Sequence, residues 1–492
     1  MTPSPSLAGR ALLAVVLMIG FYILAVAIAA GLVYIPYAEV TYAHRIHPKL
    51  AILCVIGALA ILWSVLPRFD KFESPGPQLT RDQHPRLFQE IDGVAKSVNQ
   101  AMPAEVFLVP DVNAWVTQRG GVMGFGSRRV MGLGLPLMRM LTKSQFRAVL
   151  AHEFGHYYGG DTKLGPWIYK TRGAIGRTLE SLGDGSVLRL PFLAYGKMFL
   201  RITHAISRRQ EFVADELAAR AIGSQALIGG LRTVHGVAPA FDAYWLNECA
   251  PVLNAGFRPP LAEGFRQFVQ AGKIADAIGR HLDEELKEGK VNPYDTHPPL
   301  KERIAAVQNL PPGEFGHDDP PATTLLADVP ALENQLLAAL VNPDSAGKLK
   351  PIDWEKVGEQ VYLPEWGDLV KANTAALSGV TPESLPQVAR DIKAFGKRCR
   401  DHAGAAPDDE NAEGLASGVV GAALSVLLMN RGATADAMPG QPVVVTVGSA
   451  TIEPFSVLSS LADGKLASAD WLRQCNELGI QQADLGKVPT AA

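Results

Sequence analysis

Apolar residues are concentrated at the start of this chain. From Ala11 to about Tyr37 the sequence is apolar and uncharged, well past the ~20 residues a membrane-spanning helix needs. A second uncharged run, Leu50 to Leu66, is 17 residues long, at the short end of the spanning range. The polar stretch AEVTYAHRIHPK joins them. The AVA and AIA triplets near Ala27 also fit a cleaved signal peptide. The length of the first run and the second run behind it predict a membrane hairpin instead, residues 1–70, with spans at about 11–37 and 50–66. Arg10 precedes the hairpin, Arg45 and Lys49 lie in its loop, and Arg68, Lys71 and Arg81 follow it. The positive-inside rule then puts both ends on the cytoplasmic side, in a cell inner membrane.

Beyond the charged linker RFDKFESPGP the pattern changes to that of a folded unit over about 78–310. Leu87, Ile91, Val94 and Val98 recur at helical spacing in PRLFQEIDGVAKSVNQAM. EVFLV and NAWVTQ read as strands, and RRVMGLGLPLM as a third. Thr142 and Gln145 form a capping-box pattern that starts a helix at about Lys143. The stretch from Ser186 to Gly223 is amphipathic and largely helical after Pro191. Arg189, Lys197 and Arg201 interrupt its apolar face, which predicts a surface or membrane-interface helix and not a third span. Proline and acid mark a linker at 311–330. The remaining region, 331–492, is mixed: a buried helix over Leu415–Met429, a hairpin in PVVVTVGSATIEPF and a terminal helix in SADWLRQCNELG. The fold class expected is α+β and mostly helical, with a small sheet.

Composition excludes more than it assigns. The 492 residues carry a formal net charge of −3, with 19% charged, so no basic field marks a nucleic-acid binder. Cys54, Cys249, Cys399 and Cys475 are scattered without a CxxC pair, which argues against a thiolate zinc site or a disulfide framework.

The chemistry sits in VLAHEFGHYYGGD. On a helix, residues i and i+4 share a face, so His152 and His156 direct ring nitrogens at one ion, and Glu153 reaches a water on it. Zinc suits two neutral imidazoles and a carboxylate, with one position left for water. The bland alternative is two solvated histidines, so the third ligand decides. Gly159 fits the HExxHxxGxxH pattern, but its ligand position is Thr162, with Asp161 one residue out of register. Glu180 lies about where thermolysin-like enzymes place a glutamate, without their partner aspartate. Glu211 has Asp215 one helical turn on, the spacing for a ligand and a carboxylate that orients a ligand histidine. With Glu216 beside them, a solvated acidic helix accounts for the same spacing equally well.

Ser207-Arg208-Arg209-Gln210-Glu211-Phe212-Val213-Ala214-Asp215 resembles the SRxxEYxAD signature of the membrane-associated zinc metallopeptidases typified by HtpX and the CAAX prenyl endopeptidase. Their Asn-Ala pair before the HExxH helix is matched by Asn113-Ala114. Their THPPxxxRI segment is matched by Thr296-His297-Pro298-Pro299-Leu300-Lys301-Glu302-Arg303-Ile304. The resemblance spans 113–304 and leaves the last ~170 residues unexplained.

It implies a gluzincin domain holding one Zn2+ per chain through His152, His156 and Glu211. Glu153 is then the general base and Asp215 orients a ligand histidine. Asn113 and Ala114 lie at the cleft edge, where the strand pairs with an extended peptide. His297 and Arg303 lie near the metal, stabilising the oxyanion, or His297 caps the metal at rest. Read without the resemblance, HPPL is an ordinary turn and Arg303 pairs with a nearby acid. The implied activity is metalloendopeptidase hydrolysis of peptides or membrane-associated proteins, in membrane-protein quality control. The rival is a latent or non-proteolytic membrane scaffold or chaperone with a zinc site. The chain departs from HtpX-like relatives in lacking two further spans between the HExxH and the glutamate, and in its long glycine-rich loop QRGGVMGFGSRR.

Overall fold

Both N-terminal apolar runs are helical. They form α1 (Leu7–Ala43) and α2 (Pro48–Val65), joined at His44–His47. In the computed structural model, which describes residues 7–66, 72–120, 126–157, 165–287, 297–313, 318–340, 348–400 and 410–489, the rest of the chain is mostly helical with small sheets. Phe21, Ala25 and Ala29 of α1 share one apolar cluster with Cys54, Ala58 and Ile61 of α2. Ile19, Ile23, Val26, Leu53, Leu59 and Trp63 stay exposed on the same two helices. A packed seam of small and large apolar residues inside and large apolar residues outside suit a pair of helices surrounded by lipid.

Residues 165–199 give this hairpin a protein partner. The helix α6 (Gly165–Leu182) and the first half of α7 (Arg189–Ala221) add Ala174, Ile175, Phe192 and Phe199 to the hairpin cluster. The Ser64 and Thr178 hydroxyls are 2.8 Å apart, Arg177 Nε donates to the Ser64 carbonyl at 3.1 Å, and Tyr195 donates to the Leu17 carbonyl at 2.6 Å. The amphipathic pattern of this stretch thus serves two ends of one structure: apolar residues against the hairpin, then polar residues at the site.

Four strands make the sheet: β1 (Gln78–Leu79), β2 (Glu105–Val109), β3 (Ala114–Arg119) and β4 (Arg128–Gly134), in the order β1-β2-β4-β3. β2 and β4 are parallel, while β3 runs antiparallel to β4 and forms an edge. The third strand is shorter than its apolar pattern suggests. It stops at Gly134, and Pro136 sits in the first turn of a short helix, α4 (Leu135–Met140), where its fixed φ suits a helix start. Helix α3 (Pro85–Ser97) turns Leu87, Ile91 and Val94 inward, and α5 (Lys143–Gly155) follows α4. Helix α8 covers Ser224–Tyr244.

The chain divides into two compact units differently from the sequence reading. One comprises 1–238 and 279–336, the other 239–278 and 337–492. Residues 239–278, expected in the 78–310 unit, instead share an aromatic core with the C-terminal region. Tyr244 and Trp354 ring centroids are 6.2 Å apart, and Trp354 Nε1 donates to the Pro260 carbonyl at 3.0 Å. The segment expected as a 311–330 linker, of which 314–317 lie outside the described residues, straps the start of α5. Ser144 N–H donates to Asp319 Oδ1 at 2.9 Å and Ala322 N–H to the Leu141 carbonyl at 2.9 Å. A carboxylate at a helix N-terminus satisfies a spare donor and meets the positive end of the dipole.

In the second unit the apolar helix Ala412–Met429 is long and apolar enough to cross a membrane, as are α1 and α2. It is the buried centre of that unit's core, with Val419, Val420, Ala423 and Leu424 wholly covered. The strands Val444–Val447 and Ala450–Ile452 pair as a hairpin, and Ser468–Leu478 is the terminal helix. The four cysteines are buried thiols; burial pushes Cys399 up to about 11 and Cys475 up to about 12, which leaves both un-ionised at neutral pH.

Candidate metal centre

Helix α5 starts at the expected capping box, with Gln145 N–H bonded to Thr142 Oγ1 at 3.3 Å and Thr142 N–H to Gln145 Oε1 at 3.2 Å. It ends inside the HExxH motif, Gly155 being the last helical residue and His156 the C-cap. The two histidine rings still meet edge to face, with centroids 4.8 Å apart. Gly155 is where α7 crosses. A Cβ there would lie 2.8 Å from the Ala214 Cα, so only glycine lets the two backbones approach this closely. Ala214 lies between Glu211 and Asp215 on α7, and the crossing brings both carboxylates under the histidines.

The distances are compatible with a ligand set. Glu211 Oε2 lies 3.4 Å from His152 Nε2, and Glu211 Oε1 lies 3.6 Å from His156 Nε2. Ligand atoms placed tetrahedrally about 2.0–2.2 Å from one metal stand about 3.3–3.6 Å from each other. Glu211 Oε2 is buried and has no hydrogen bond of acceptable geometry among the described residues, although nitrogens of His152, His297 and Arg303 lie 3.2–3.4 Å away. A buried carboxylate oxygen that is ion-paired to these nitrogens but lacks hydrogen-bond geometry fits a ligand for a cation. The Glu153 carboxylate forms a group with both histidines, ligand atoms within 4.8 Å of one another.

Electrostatics separate the groups. Burial opposes a charge on His152, but Asp215 and Glu211 overcome it and raise its pKa to about 10. Burial lowers His156 to about 4, helped by the neighbouring His152 charge. Burial raises Glu153 to about 7. Burial also resists ionisation of Glu211 and Asp215, yet both carboxylates are held below their usual range: Glu211 by His152 and His297, Asp215 by Arg303 and His152. A metal that binds here takes the place of the His152 proton.

Arg303 stands behind His152 and Glu211. Its Nε and Nη2 grip Asp215 at 2.8 and 2.7 Å, and its Nη1 lies 3.2 Å from Glu211 Oε2. The guanidinium is 4% exposed and Asp215 is fully buried, so both donor edges face acids and not the cleft. His297 is on the open side, 56% exposed, with Nδ1 3.2 Å from Glu211 Oε2. Asn113 is exposed, and its carbonyl accepts from Gly134 N–H at 2.8 Å; Ala114 is buried at the start of β3. Glu180 is exposed on α6. Gly159, Asp161, Thr162 and Thr296 lie outside the described residues.

Two participants escaped the sequence reading. Tyr157, next to His156, donates its hydroxyl to the Val116 carbonyl at 2.9 Å. The Val116 N–H bonds the Glu153 carboxylate. A tyrosine beside the second histidine was in plain view, but its partner lies 41 residues away.

Comparisons with known proteins place these features in a family setting. Residues 81–310 match Peptidase family M48. The chain is 26% identical over 305 residues to "Protease HtpX homolog" of Archaeoglobus fulgidus, covering 58% of this chain and 83% of that protein. It is 25% identical over 246 residues to "Protease HtpX homolog" of Methylacidiphilum infernorum, covering 46% and 72%. It is 26% identical over 246 residues to "Protease HtpX" of Vibrio cholerae, covering 45% and 71%. No solved structure matches.

Proposed function

We propose that this membrane protein, whose residues 81–310 belong to peptidase family M48 and are of the HtpX type, is a zinc-dependent metalloendopeptidase acting on peptide segments at the bilayer. The observation that carries the reading is the buried Glu211 carboxylate, bridging both HExxH histidines at 3.4 and 3.6 Å with one oxygen left without a hydrogen bond. His152, His156 and Glu211 would hold the ion. When bound, zinc polarises a carbonyl and acidifies water, which is the chemistry peptide hydrolysis requires.

The remaining work falls to side chains. Glu153, a carboxylate whose burial raises its pKa, is placed beside the histidines to take a proton from water and to return it to the leaving amine. Its bond from Val116 N–H aims the carboxylate along the edge strand. Asp215, 2.9 Å from His152 Nδ1, sets the tautomer that turns Nε2 toward the ligand cluster. Arg303 is a positioning residue that fixes Asp215 and offsets its charge. His297, on the open side, is the group placed to meet negative charge developing on the substrate carbonyl. The edge position of β3 supports pairing with an extended peptide beginning at Asn113-Ala114. We assign the protein to the cell inner membrane with the catalytic domain on the cytoplasmic side, and to protein quality control there.

Full-length protein in detergent, stripped of metal with a chelator, should lose cleavage of an unfolded protein and regain it with zinc. Cleavage that survives complete metal removal would exclude the reading. The scaffold alternative needs no general base, and Glu153 beside the histidines weighs against it.

A further inference from the structure

The hydrogen-bond alternation of β3 shows which of its groups a peptide would meet. Gly134 N–H donates to the Asn113 carbonyl, and the register pairs Ala114 with Leu133, Trp115 with Gly132 and Val116 with Met131. In an antiparallel ladder, alternate residues bond the neighbouring strand and those between them turn away. Asn113, Trp115, Thr117 and Arg119 therefore bond toward β4, and Ala114, Val116 and Gln118 direct their N–H and C=O groups outward. A peptide adding to this edge needs those three residues in sequence.

The middle one is occupied by the protein itself. The Val116 carbonyl accepts the Tyr157 hydroxyl at 2.9 Å, and its N–H is bonded to Glu153. Tyr157 is also held from the other side: the Arg129 guanidinium lies 4.2 Å from its ring centroid, and Arg129 is fixed by donating to the Ala101 carbonyl at 2.9 Å. The clamped ring and the hydroxyl bond of ordinary length hold Tyr157 from two sides.

We propose that Tyr157 is a latch on the substrate-pairing edge: its hydroxyl holds the Val116 acceptor, so extended peptides long enough to reach Val116 bind only by displacing it. The proposal rests on the peptidase reading and deepens it. Tyr157 is a specificity-determining residue that penalises long, strand-forming segments relative to short ones. Displacement exchanges one protein hydrogen bond for one with the peptide at the Val116 carbonyl, the Val116 N–H staying with Glu153, and the ring on Arg129 swings or tilts with it.

The test is Tyr157→Phe in full-length protein, which removes the hydroxyl and leaves a ring for Arg129. The ratio of kcat/KM for a capped octapeptide to that for a capped tripeptide should rise about two- to tenfold, carried by KM, the size expected for one hydrogen bond. Binding of a labelled octapeptide, read by anisotropy in a Glu153→Gln background, should tighten by a similar factor. A residue that merely ties α5 to the sheet would lower the melting temperature and leave both readings unchanged or weaker, which overturns the proposal. If no variant hydrolyses peptide, the peptidase reading fails while the binding arm still decides the latch. If wild type hydrolyses and the ratio and the binding stay flat, the latch fails and the peptidase reading stands.

Discussion

His152 Nδ1 lies 2.9 Å from Oδ1 of Asp215, a carboxylate with no solvent exposure. This contact fixes which ring nitrogen faces Glu211 and His156. Removing the charge but keeping the shape, Asp215→Asn, should lower metal affinity about 10–100-fold. Competition against a chromophoric chelator measures it. An unchanged affinity would mean that the histidine is oriented by something else.

The same contact makes metal binding a proton exchange. Without metal, His152 is raised to about 10 and His156 lowered to about 4, so between those values the histidine pair carries one proton, on His152, while Glu153 takes up a second below about 7. A metal requires neutral imidazole, so binding at about pH 8–9, where Glu153 is already ionised, should release about one proton, and affinity should rise about tenfold per pH unit. Calorimetry in buffers of different ionisation enthalpy reads the proton count directly. A count near zero would show that His152 is already neutral.

Gly155→Ala should loosen the centre without touching a ligand. The added methyl meets Ala214 Cα at 2.8 Å, and overpacking of this kind costs about 1–3 kcal/mol. A lower melting temperature with weaker metal retention is the expected pair of results. Full retention would show that α5 and α7 shift apart freely.

The acid limb of the activity profile should belong to Glu153. Burial raises its pKa to about 7 in the metal-free site and a bound dication draws it down again, so in the working enzyme its protonated, inactive fraction grows at a midpoint below that value. In initial-rate measurements kcat/KM should then fall about tenfold per pH unit on the acid side. An acid limb that persists in Glu153→Asp at the same midpoint would assign it to another group.

Legibility in the sequence followed locality. The start of α5, the hairpin and the buried helix near the C-terminus could be read because each is written in neighbouring residues: Thr142 with Gln145, two uncharged runs, and Leu415–Met429. Glu211 and a solvated acidic helix were indistinguishable by spacing, since what separates them is the Gly155–Ala214 crossing. The position of Arg303 depends on Asp215, 88 residues away, and no local pattern tells a guanidinium facing substrate from one facing an acid. Residues 239–278 carry ordinary helical patterns; the placement of Tyr244 beside Trp354, which sets their unit, is a tertiary choice.

The central claim is that Glu153 works as a general base beside a bound metal. Metal content and cleavage of an unfolded protein, measured together on full-length wild type and Glu153→Gln, test it most directly. The account predicts about one zinc per chain in both and a loss of cleavage of about 10²–10⁴-fold in the variant. Equal cleavage by the two proteins, with metal retained in both, would contradict it.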